Sequence, residues 1–291
     1  MANDLIINFA PTGLIPTKEM TPYVPVSVNE IIEDVHMAVE LGISMVHLHA
    51  REEGTGSPSH KAEIYRRIIS GIRSFSKDLI ICVSLSGRVV NNFEHRAEPL
   101  LLDGNEKPDM GSLTLSSLNF NSTASINSPD TIEKLSSEMN KRGIMPELEA
   151  FDNGMINYAK YLIKKNLLHP PHYFNLMIGN IACAQADLLH VGVMINDLPA
   201  DSSFSLAGIG NSQLMMNSTA IAMGWGVRIG LEDNIWFDSD RSKLATNADF
   251  LKRIHKLALV NERNVMSPGK LRTLLSLENG FGNYGRKITN E

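Results

Sequence analysis

Residues 5–25 read LIINFAPTGLIPTKEMTPYVP. The run 5–10 is apolar and strand-like, and the turn after it decides between two α/β folds. An open doubly wound sheet usually follows its first strand with a G-x-G-x-x-G turn, where a helix N-terminus receives a phosphate. Here the turn is rich in proline instead, with Pro11, Pro16, Pro22 and Pro25, and Gly13 is its one glycine. The dinucleotide fingerprint is missing, so the chain favours the other parallel α/β architecture, the (β/α)₈ barrel.

The rest of the chain supports that choice. Seven more apolar runs lie at 44–50, 79–85, 110–115, 144–150, 172–178, 203–209 and 226–232, each followed by a helical pattern. Eight strand–helix units are what closes a barrel. Ser27 and Glu30 have the spacing of a capping box, and Gly42 ends that helix. Ser128, Pro129 and Gly143 mark the cap, first turn and stop of a second helix. Residues 211–224 and 247–264 read as two more helices from their apolar spacing. No linker or low-complexity stretch divides the sequence. The expectation is a single barrel domain over 1–291 with a short C-terminal helical tail.

Bulk properties narrow the function. Hydrophobic residues make up 43% of the 291 and charged residues 20%, as in an ordinary soluble enzyme. A net charge of −5 gives no attraction to nucleic acid or to an acidic membrane surface. The two cysteines, Cys82 and Cys183, form no C-x-x-C pair, which argues against a disulfide framework and a thiolate metal knuckle. The N-terminus lacks the basic and apolar regions of a signal peptide, and no segment is long and apolar enough to span a bilayer. The expected location is cytoplasmic.

Barrel enzymes work at the C-terminal ends of their strands, and side chains alternate inward and outward along each strand. This parity places His47, His49 and Arg51 on one face, opposite Val46 and Leu48. It pairs Cys82 with Ser84, Ser112 with Thr114, Glu147 with Glu149, and Arg228 with Gly230 and Glu232. Five strands thus bring polar groups late into one mouth, and each such group left unpaired in a core would cost about 1–3 kcal/mol. His47, His49 and Glu232 would make a three-point zinc set that leaves one position open. Taken alone, H-x-H reads more readily as a hydrogen-bonded core pair, and its place at the barrel's active end brings the metal reading level. Asp233 and Asn234 also suit a helix cap, Glu149 and Arg228 suit a structural ion pair, and Lys18 suits a solvated loop.

Together, VHLHAREEGTGSPS, VSLSGR, PDMGSLTLSSLNF, MPELEAFDNGM and VRIGLEDNIWF resemble the beta-keto acid cleavage enzyme family, which includes the 3-keto-5-aminohexanoate cleavage enzymes of lysine fermentation. The resemblance runs from about residue 5 to about residue 275, and its most specific part is H-L-H-x-R paired with a late G-x-E-D-N. It implies a (β/α)₈ barrel with a catalytic Zn2+. It also implies that a beta-keto acid and acetyl-CoA give acetoacetate and a new acyl-CoA without a covalent acyl-enzyme. By the same resemblance, the zinc ligands are His47, His49 and Glu232. The catalytic set is Asp233, its partner Arg228, and Glu149. The carboxylate-holding groups are Ser84, Gly87 and Ser112, with Thr114 beside them, and the assembly is a homo-oligomer, a tetramer by analogy.

One position departs from the aminohexanoate branch. A glutamate there binds the substrate's ammonium group, and the matching position here is Ile15. Burying an unpaired ammonium against isoleucine would be costly, so the substrate is expected to lack one. Lys18, in the same loop, is a candidate partner for an anionic tail. Two rival readings are a zinc-dependent barrel hydrolase and a non-catalytic binder of metal and acyl ligand. The hydrolase reading is weakened because H-x-H falls on the second strand and His172 starts the sixth. Ligand type alone does not separate zinc from non-haem iron.

Overall fold

The computed structural model describes residues 4–288; residues 1–3 and 289–291 of the expected 1–291 span lie outside it. Eight parallel strands close a barrel: β1 (Ile7–Phe9), β2 (Met45–Leu48), β3 (Ile80–Val83), β4 (Met110–Thr114), β5 (Met145–Ala150), β6 (His172–Ile178), β7 (Ser202–Gly208) and β8 (Gly226–Ile229). Each strand pairs with its sequence neighbours, and β1 closes on β8. The following helices are α1 (Val28–Leu41), α2 (Ala62–Phe75), α3 (Phe93–Ala97), α4 (Pro129–Arg142), α5 (Asn153–Lys164), α6 (Leu188–Asn196), α7 (Gln213–Ala222), α8 (Asn247–Val260) and a tail helix α9 (Pro268–Leu274).

The local signals work as read. The Ser27 hydroxyl accepts from Glu30 N–H while the Glu30 carboxylate accepts from Ser27 N–H, completing the capping box of α1. Ser128 caps α4, Pro129 is its first residue, and Gly143 ends it in the left-handed conformation at φ +62°. The exception is α3, which has five residues and continues as a 3₁₀ turn over Glu98–Leu101. Pro99 removes a backbone donor there.

Two cores stabilise the barrel. Val46, Leu48, Ile81, Val83, Leu113 and Leu148 point outward against helix residues such as Ile31, Val35, Ile68 and Ile72. Inside, Ile6, Met45, Ile80, Met110, Met145 and Tyr173 form the floor, closed from below by Leu271, Leu275 and Leu277 of the tail. Asp109 secures this closure. Its buried carboxylate accepts from Arg73 and Arg272, each at 2.8 Å, and from Gly285 N–H at 3.0 Å. Removing one partner from such a buried charge set typically costs about 3–5 kcal/mol. With an apolar floor, the polar inward residues are confined to the middle and the mouth.

Candidate active site

The register sets the polar layer. Asn8 lies beside Arg228, His47 beside Cys82, Ser112 beside Glu147, and Thr114 beside Glu149. His47 donates from Nδ1 to Glu147 Oε2 at 2.5 Å, which leaves Nε2 facing the mouth. Glu147 also accepts from Asn8 at 2.7 Å and from the Cys82 thiol at 3.2 Å. Burial opposes the charge on both partners, but their attraction prevails. Glu147 is held down to about 2, and the His47 pKa is raised.

His47 Nε2 and His49 Nε2 are 3.1 Å apart, His49 Nε2 is 3.1 Å from Glu232 Oε1, and His47 Nε2 is 3.9 Å from the same oxygen. Four ligands at 2.0–2.1 Å around a tetrahedral zinc are separated by about 3.3 Å. The three atoms therefore span the right space. Glu232 Oε2 is buried with no hydrogen-bond partner among the described residues. That orphaned oxygen, two imidazoles and one carboxylate suit a divalent cation. A hydrogen bond from ligand His47 to a carboxylate is the usual outer support of such a site. A second cluster, His47, Cys82 and Glu147, is the support itself. Burial, reinforced by Glu147, pushes the Cys82 thiol well above its usual range, so it stays protonated.

Strand alternation does not extend to Glu232, which the sequence reading placed on one face with Arg228 and Gly230. β8 ends at Ile229, and the chain turns at Gly230 (φ +155°), where a Cβ would come 1.9 Å from Ala10 O. The turn brings two consecutive carboxylates onto one guanidinium. Arg228 lies 2.6 Å from Glu232 Oε1 and 3.1 Å from Asp233 Oδ2, with Glu149 at 3.8 Å. Burial raises the Asp233 pKa above the usual carboxylate value, even beside Arg228. Burial opposes the ionisation of Glu232 too, but Arg228, His49 and His47 hold it well below. Burial also raises Glu149, whose carboxylate accepts from Thr114 at 2.7 Å.

These groups border a cavity of about 720 Å³ at the C-terminal mouth. Of the expected site residues, His49, Ser84, Thr114, Glu149, Arg228, Glu232, Asp233 and Ile15 border it. His47 lies just beneath, touching His49. Gly87 and Ser112 do not border it. A Cβ on Gly87 would meet Ile126 O at 2.2 Å, so its backbone is packed into the neighbouring loop. The Ser112 hydroxyl accepts from Leu85 N–H at 3.0 Å.

Two further expectations are corrected. Arg51 takes no part in the mouth: it donates to the carbonyls of Gly13, Pro16 and Gly56, clamping the loop that carries Ile15. Lys18 lies outside the cavity and pairs with Glu30 at 2.6 Å. His172, at the start of β6, is at the floor end as expected. Sequence reasoning missed the His47–Glu147 link, although inward parity had placed both residues. It also missed Arg88, which borders the cavity and for which no periodic signal exists.

Comparison with known proteins agrees with the geometry. The family model for "beta-keto acid cleavage enzyme" matches residues 4–277. The 3-keto-5-aminohexanoate cleavage enzyme of Fusobacterium nucleatum subsp. nucleatum is 34% identical over 281 residues, covering 96% of this chain and all of that protein. The 3-oxoadipate:acetyl-CoA acetyltransferase of Cupriavidus necator is 32% identical, covering 95% of this chain and 96% of its own. The solved ternary complex of ObcA with a C4-CoA adduct and oxalate superposes with a TM-score of 0.73 at 19% identity, over 88% of this chain and 68% of that one, a likeness of fold. Among the described residues no helix is long and apolar enough to cross a membrane. The barrel, the His–His–Glu cluster at its mouth and the full-length match together place this chain in the beta-keto acid cleavage enzyme family, whose members are transferase-type cleavage enzymes.

Proposed function

We propose that this chain is a zinc-dependent enzyme that converts a beta-keto acid and acetyl-CoA into acetoacetate and a new acyl-CoA, with no covalent acyl-enzyme. The observation that carries this reading is the contiguous cluster of His47, His49, Glu232, Arg228 and Asp233. Zinc, when bound by His47, His49 and Glu232, supplies a Lewis acid that polarises a keto oxygen.

The protein's own residues supply the rest. Asp233, steadied by Arg228 and made more basic by burial, takes a proton from C2 of the beta-keto acid. C2 then bonds to the acetyl carbonyl carbon and the CoA thiolate leaves. The thiolate adds to the original C3 carbonyl, the C2–C3 bond breaks, and C2 regains a proton. No residue is acylated, and atoms and charge balance between the two acids and the two thioesters. Ser84, which borders the cavity, is the residue we assign to the substrate's carboxylate, and Thr114 holds Glu149 by a hydrogen bond of 2.7 Å.

Ile15, which borders the cavity, cannot itself pair with an ammonium ion. The chain therefore favours a substrate without one, unlike that named for the Fusobacterium relative. The substrate named for the Cupriavidus relative carries no ammonium group and so meets that condition. The family analogy adds a homo-oligomer, expected as a mass in solution of several times 32.1 kDa.

The test is metal analysis followed by incubation with acetyl-CoA and a panel of beta-keto acids. The expected result is one zinc per chain and zinc-dependent acetoacetate. Stoichiometric zinc with no product from any acid would favour a non-catalytic binder instead.

A further inference from the structure

We infer that Arg88 is a specificity residue that binds a second carboxylate, carried on the tail of the beta-keto acid; this rests on the cleavage reading above. Arg88 borders the cavity on the segment leaving β3, four residues beyond Ser84. Its guanidinium carbon lies over the Phe120 ring, 3.8 Å from the centroid, and its Nε donates to Thr123 at 3.0 Å. Both contacts fix the group without neutralising it. Among the described residues Arg88 makes no ion pair, whereas Arg228, which borders the same cavity, is met by Glu232 and Asp233. The group is half-buried, and burial disfavours its charge while the field of Glu232 favours it. A fixed, partly desolvated guanidinium with free donors is suited to a planar carboxylate.

The reacting end of the substrate belongs with the metal cluster, Ser84 and Asp233, so Arg88 faces what extends outward from it. Leu14, Ile15 and Leu118 border the same cavity and give intervening methylenes an apolar wall. The phosphates of CoA are a second source of negative charge, but the pantetheine arm separates them from the thioester. Arg88 borders the same cavity as Ser84, which lies four residues before it in the chain.

The test uses zinc-loaded full-length protein with acetyl-CoA and either 3-oxohexanedioate or 3-oxohexanoate, acids of equal chain length that differ in the tail carboxylate. In parallel, calorimetry measures binding of hexanedioate and hexanoate, which the enzyme cannot cleave. The expected result is a preference for the diacid of about 10- to 100-fold in kcat/KM, the range of a charge-assisted hydrogen-bond pair. R88Q should collapse this ratio, chiefly through KM, and R88K should restore part of it. Hexanedioate binding should weaken in step. Equal losses on both acids would move Arg88 to the shared carboxylate and overturn the inference. A raised KM for acetyl-CoA with unchanged acid preference would assign it to CoA phosphate and overturn it too, as would no preference in the unmodified protein. If neither acid is cleaved, the cleavage reading fails, and the binding ratio still decides the role of Arg88.

Discussion

His47 Nδ1 lies 2.5 Å from Glu147 Oε2, and that contact aims Nε2 of the same ring at His49 and Glu232. Glu147 touches neither of the other two ligands, yet it sets which His47 nitrogen is free. Glu147→Gln should therefore weaken zinc binding by about 10–100-fold while the barrel stays folded. Competition with a chromophoric chelator reads the affinity and circular dichroism checks the fold; undiminished affinity would remove Glu147 from the metal's support.

Asp233 is held by Arg228 but supplies no atom to the ligand cluster. Asp233→Asn should keep stoichiometric zinc and lose about 10²–10⁴-fold in kcat, the usual range for general acid–base groups. His49→Ala, in contrast, should lose metal and activity together. Metal content and steady-state rates on the two variants separate the roles, and an unchanged rate in Asp233→Asn would exclude proton transfer by that carboxylate.

Acid should destabilise the fold through two buried histidines that are not themselves metal ligands. Burial is the main reason that the His60 and His172 pKa values are each lowered from 6.5 to about 4. A ring that stays neutral in the native state takes up its proton more readily when unfolded, so stability is complete above pH 6.5. It falls as pH drops from 6.5 towards 4. Urea midpoints should decline across that window, and His172→Asn should flatten the decline. An unchanged pH slope in that variant would mean that His172 is not titrating as its burial dictates.

Much of the site was legible because strand alternation is a strict rule. It put His47, Glu147, Glu149, Thr114 and Arg228 inside the barrel, where they are found. Local signals at Ser27 and Ser128 likewise marked helix starts. The rule failed where strands end: the turn at Gly230 breaks alternation and lets both Glu232 and Asp233 reach Arg228. Arg51 has the right parity but a long side chain that reaches loop carbonyls. Ser112 faces inward too low to meet the cavity, and its hydroxyl serves Leu85. The floor closed by Leu271 and Leu275, and the contact of Arg88 with Phe120, join distant parts of the chain with no shared sequence period.

The most direct test of the cleavage chemistry is the fate of a labelled acetyl group. Zinc-loaded protein is given a beta-keto acid that turns over and acetyl-CoA carrying ¹³C in both acetyl carbons, and products are read by NMR and mass spectrometry. The account predicts label at C3 and C4 of acetoacetate, an unlabelled new acyl-CoA in equal amount, and loss of both products on removal of zinc. Release of free CoA and acetate without a new acyl-CoA, or undiminished product after metal removal, would contradict it.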